Sequence, residues 1–222
     1  MSKRTSFEPI LIAAEVTLET DWQPPAPLTP TQLSENGVVP IDWVVGETMS
    51  SKAEQLSIVN YRNNVRFELR NNALKVLKNF GPDDQEIGEV ISLGQKLASQ
   101  IQNNYHSISL RFEKFVFDET PTSTIAECLL DISDTQLQAR LREANVELCF
   151  SPQEMADSNS QLDVRIQPGK ITHPDSEVNE AIFIEAIATY RNLNVAQIHE
   201  RLESWQDTHR LILSTLDRLM NT

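Results

Sequence analysis

The most regular hydrophobic pattern in the chain lies in its last 28 residues. Apolar or ring side chains fall at Val195, Ile198, Leu202, Trp205, His209, Ile212, Leu216 and Leu219, in alternating steps of three and four. This is the period of one helical seam. Asn194 precedes the seam and Gln197 lies three positions on, the pairing of a capping box. The spacing predicts one continuous helix over 195–220, roughly 39 Å long at about 1.5 Å per residue. A second stripe (Ile87, Val90, Ile91, Gly94, Leu97, Ala98 and Ile101) predicts a helix over 83–103. Gly81-Pro82-Asp83-Asp84 precedes it, a breaker, a proline and acids that suit a helix N-terminus.

The other apolar positions follow a period of two. Residues 7–18 read as a strand that offers Ile10, Ile12, Val16 and Leu18 to a core, and residues 40–45 begin a second. Residues 54–78 read as a β-meander: a strand at 55–59, a turn at 60–64, strict alternation over 65–70, a two-residue Asn71-Asn72 turn and a return over 73–77. The predicted register sets Leu69 opposite Leu74 and Phe67 opposite Val76 on the buried face. Glu68 then faces Lys75 on the outer face. Residues 107–117, 146–150, 162–166 and 181–190 read as further strands. A short helix is predicted over 135–143, capped by Ser133 or Asp134. Loops are expected at 152–160 and 168–180. The four prolines between positions 24 and 30 make 22–40 a stiff connector. Strands followed by a helix occur twice, to about residue 104 and again to the end. The expected fold is therefore a single α+β domain over 1–222. It has a mainly antiparallel sheet, covered on one face by the two main helices and divisible into two β-then-α halves.

Composition bounds the function. No apolar run reaches the roughly 18–20 residues that cross a bilayer, and the first residues lack the apolar core of a signal peptide. No membrane partner is expected. Cys128 and Cys149 are the only cysteines, too few for a disulfide framework. Both sit among apolar neighbours and read as buried, inert thiols in a reduced, cytoplasmic setting. The net charge of −13 disfavours general nucleic-acid binding. Residues 52–78 nevertheless carry six basic side chains against two acidic ones, which leaves −17 for the remainder. Arg62, Arg66, Arg70, Lys75 and Lys78 form a candidate basic patch on the outer face of the meander.

No catalytic, cofactor-binding or metal-binding residue is predicted. Six scattered glycines exclude the phosphate-cradling loops, and no Gly-x-Ser-x-Gly elbow or paired-cysteine pattern is present. The histidines His106, His173, His199 and His209 lack ligand spacing. His199 and Glu203 are four apart on one helix but have no third ligand there. His209 lies on the seam, either as a polar residue tolerated at a helix contact or as a pH-sensitive position.

The element order resembles that of a sporadically distributed family of bacterial proteins with no established activity. The resemblance rests on Pro9-Ile10-Leu11-Ile12, the hairpin and helix at 65–101 and the strand segment Leu110-Arg111-Phe112. It also includes the apolar strand at 182–190 and the following helix with an early His199. It implies no site and no activity.

The expectation is a non-enzymatic interaction or assembly module that binds a protein partner or a second copy. Trp205, His209, Ile212 and Leu216 form its candidate surface, unless that seam packs on the protein's own sheet. One alternative is an acidic, antitoxin-like or chaperone-like neutraliser of a basic or unfolded client. The other is an enzyme of unrecognised class.

Overall fold

A computed structural model describes residues 9–20, 27–81, 84, 86–100, 105–130, 144–150, 160–172 and 178–220. The strands are β1 (Ile10–Thr20), β2 (Val45–Ser51), β3 (Leu56–Tyr61), β4 (Val65–Arg70), β5 (Ala73–Asn79), β6 (Tyr105–Phe117), β7 (Val146–Phe150), β8 (Ser160–Thr172) and β9 (Val178–Arg191). The helices are α1 (Pro30–Glu35), α2 (Ile87–Gln100), α3 (Pro121–Leu130), α4 (Val195–Glu203) and α5 (Trp205–Met220). All nine strands join one antiparallel sheet in the order β2-β3-β4-β5-β1-β6-β9-β8-β7.

This order gives the twofold succession of strands and helix a spatial meaning. Outward from the central pair β1–β6, one arm runs β5, β4, β3 and the other β9, β8, β7. In each half the last strand closes back beside the first, and a helix follows it: α2 after β5, and α4 with α5 after β9. A short helix also follows each first strand, α1 after β1 and α3 after β6. Among the described strands only β2 has no counterpart.

Period-two alternation decides which face is buried. Val16 and Leu18 on β1, Ile108, Leu110 and Phe112 on β6, and Ile184, Ala186 and Ala188 on β9 are all buried. The helices contact this face. A Cβ built on Gly94 of α2 would lie 2.9 Å from Val16, so the glycine lets helix and sheet approach closely. Tyr190 Oη and Thr208 Oγ1 share a 2.8 Å hydrogen bond between β9 and α5.

The β4–β5 hairpin has the register its alternation predicts: Leu69 opposite Leu74, Phe67 opposite Val76 and Glu68 opposite Lys75. Asn71 takes φ 52°, the conformation expected of the Asn-Asn turn.

Other boundaries differ from the pattern. β2 begins at Val45, after a turn, rather than at Pro40. Most of the expected 168–180 loop is strand, because β8 runs to Thr172 and β9 starts at Val178. Gly169 is no loop marker but a strand glycine beneath an aromatic ring, since a Cβ there would meet Phe183 at 2.6 Å. α3 occupies a stretch with no predicted element. Its entry is held by Asp118, which accepts from the Thr120 amide (2.7 Å) and the Thr124 hydroxyl (2.8 Å).

The terminal helix is not one rod. Ser204 separates α4 from α5, and its hydroxyl bonds back to the Glu200 carbonyl at 2.9 Å. Four described helical segments, α2 to α5, therefore contact the sheet or one another where two long helices were expected. The predicted helix over 135–143 lies outside the described residues. So do parts of the 22–40 connector, of the loops and of the 83–103 helix.

Candidate functional site

The terminal seam faces inward. Ile212 and Leu216 are fully buried (0% exposed) in the core and offer no docking surface. Trp205 and His209 are half-buried. The His209 ring lies 5.0 Å from Phe112 and 6.1 Å from Trp205, and its buried Nε2 makes no hydrogen bond. Burial, with Lys114 nearby, pushes the His209 pKa down to about 4.

The basic patch is also rearranged. Arg62 is exposed beside the β3–β4 turn and Arg70 is exposed at the end of β4. Arg66 pairs with Glu68 at 2.5 Å, and Lys75 lies 3.3 Å from Glu15. Lys78 does not belong to the patch, because it points to the helix-covered face. There it meets Asp84 (2.7 Å) and Glu89 (2.5 Å), with Phe80 beneath it. Burial pulls its pKa down, but the two carboxylates outweigh burial and hold it above the usual lysine value.

Lys114, on the same face, is the contrasting case. It is 5% exposed and burial lowers its pKa to about 8. In the sequence it was passed over, although Lys114 breaks the alternation by standing at the inward parity of Ile108, Leu110 and Phe112.

No described helix packs on the opposite face of the sheet, and here the register assembles a ladder of ions. Lys75 on β5 reaches Glu15 on β1, and Glu15 faces Arg111 on β6 (3.7 Å). Arg111 Nε donates to Glu185 on β9 (2.5 Å), and Arg111 also pairs with Glu113. Glu185 accepts from Arg165 on β8 at 3.4 Å, and Arg165 donates to Glu147 on β7 at 2.8 Å. Six adjacent strands are bridged. Burial lowers the Arg111 pKa, yet its carboxylate partners prevail and raise it, so the guanidinium stays charged.

Two shallow cavities flank this ladder. One, of about 300 Å³, has Ile12 and Phe183 beside Arg111, Glu113, Arg165 and Glu185. The other, of about 470 Å³, lies over Glu147, Cys149, Asp163 and Arg165.

Cys149 corrects an expectation, because it is exposed on edge strand β7 and Cys128 is half-buried. A hydrogen bond with Asp163, and the charge of that carboxylate, raise the Cys149 pKa, which makes the sulfur a poor nucleophile. Among the described residues no three His, Cys, Asp or Glu side chains group as metal ligands. His199 lies 3.4 Å from Ser99 on α2.

The ladder residues Glu15, Arg111, Glu147, Arg165 and Glu185 went unnoticed in the sequence. Each occupies an outward position in an alternating strand. Only cross-strand register shows that they meet. No family model matches the chain, and no curated protein matches its sequence. No helix among the described residues is long and apolar enough to cross a membrane.

Proposed function

We propose that this protein is a non-enzymatic protein-binding module whose contact surface is the uncovered face of the sheet. The observation that carries the reading is the ladder from Lys75 to Glu147, a broad face of committed ion pairs that no described helix covers. Such a face offers many weak, geometrically fixed polar contacts. On the terminal helix, Ile212 and Leu216 are spent on the core.

Affinity capture from native lysate tests the reading, with the wild-type chain compared against a Phe117→Glu variant on the sheet face and an Arg210→Ser control on α5. A stoichiometric protein retained by wild type and control, and lost by the sheet-face variant, is the expected outcome. Equal capture by all three would overturn the reading.

A further inference from the structure

The face that no described helix covers is not uniform. At one end, register gathers Ile10, Phe115 and Phe183 from β1, β6 and β9 on one row, with Phe117 and Ala181 on the next. Phe115 stacks edge-on against Phe117 at 5.0 Å and lies 6.3 Å from Phe183. Phe117 is 48% exposed and Ile10 37%. A β-bulge between Leu11 and Ala13 adds Ile12 to the wall of the 300 Å³ cavity, where apolar side chains meet the ladder.

Charge differs in sign from what a phosphate-binding face would need. From β5 to β7 the outward positions hold six carboxylates: Glu15, Glu19, Glu113, Glu147, Asp163 and Glu185. Against them stand four cations, Lys75, Arg111, Arg165 and Arg191. Lys75, Arg111 and Arg165 already face carboxylates, and Arg191 donates to Gln161. An arriving anion meets engaged cations, whereas an arriving cation meets surplus carboxylate. The chain's net charge of −13 adds a long-range field of the same sign.

We propose that this end of the sheet binds an extended polypeptide segment in which aromatic or aliphatic residues alternate with Lys or Arg. The inference rests on the protein-binding reading and names its partner's chemistry. An extended chain repeats its side-chain direction about every 6.6–6.8 Å. Its apolar residues cover Phe117, Ile10 and the Ile12–Phe183 wall, and its basic residues lie over Glu113, Glu185 and Glu147, three carboxylates that share only the two guanidiniums of Arg111 and Arg165.

The test uses the full chain and three fluorescein-labelled peptides of about ten residues, roughly 33 Å when extended. One alternates Phe with Lys, one replaces Lys by Glu, and one replaces Phe by Ser. Anisotropy is read at about 0.05 and 0.3 M salt, concentrations that change the screening length about 2.4-fold. The Phe/Lys peptide is expected to bind at least about tenfold more tightly than either twin, and more weakly at high salt. Phe117→Ser and Ile10→Ser, each checked for an unchanged melting curve, weaken it about fivefold or more, roughly 1 kcal/mol.

If the Glu twin binds as well while both variants still weaken it, the basic-partner inference falls and the protein-binding reading stands. If no peptide binds, or if a single-stranded oligonucleotide or an anionic vesicle binds as tightly as the Phe/Lys peptide, the inference is overturned. The capture experiment then decides the protein-binding reading separately.

Discussion

Two buried lysines on one sheet face show how neighbours decide the meaning of a residue. Lys78 has two carboxylates and stays charged above its usual range. Lys114 has burial alone and is pushed down to about 8. A buried cation without a partner costs stability, and an apolar side chain of similar length removes that cost. Lys114→Met is therefore expected to stabilise the protein by about 1–3 kcal/mol at neutral pH, read as a higher melting temperature. The pH dependence follows from the same groups. Between about 8 and 10.5 the unfolded chain binds the Lys114 proton and the folded chain does not, so stability rises with pH across that window. His209 is neutral in the fold down to about 4 but protonates near 6.5 when unfolded, so stability falls as pH drops from 6.5 towards 4. Denaturant titrations of Lys114→Met should lose the alkaline slope and soften the acidic one, because Lys114 itself helps to depress His209. An unchanged alkaline slope would exclude Lys114 as its source.

Among the elements, helix termini and close approaches were legible to different degrees. The capping box of α4 was visible in the sequence because it is local. Asn194 Oδ1 accepts from the Gln197 amide at 3.0 Å, and the Gln197 side chain accepts from the Asn194 amide at 2.9 Å. Asn194→Ala should cost about 0.5–2 kcal/mol in chemical denaturation. Gly94 could be read only as a small residue on an apolar stripe. Its contact with Val16 depends on how α2 settles on β1, and Gly94→Ala should destabilise by about 1–3 kcal/mol despite the better helix propensity of alanine. A stabilised variant would mean that Val16 yields freely. The break at Ser204 escaped the periodicity, because α4 and α5 keep the same three-four spacing across it. α3 escaped because its buried face is short: Pro121, Ile125 and Ala126.

Across the whole molecule, the ladder ties both arms of the sheet to the central β1–β6 pair. Arg111 is its centre, facing Glu15, Glu113 and Glu185. Arg111→Met leaves three half-buried carboxylates without their shared cation. The expected loss is about 2–4 kcal/mol at pH 7. Chemical denaturation of the variant beside the wild-type chain checks the size. By itself the sequence determined most of the strands, the α2 stripe, the α4 cap, the β4–β5 register and the two-part succession of strands and helix, but not α1, α3 or the break at Ser204. Those features depend on periodicity and on turns a few residues long. Only the tertiary structure decided that the two halves share one sheet through β1 and β6, that the terminal seam is core, and that outward charges on six strands form one surface. Glu15, Arg111 and Glu185 are separated by 96 and 74 positions in the chain. Nothing local couples them. The pairing of distant strands brings them within a few ångströms, and the side of the sheet that no described helix covers turns them into a face.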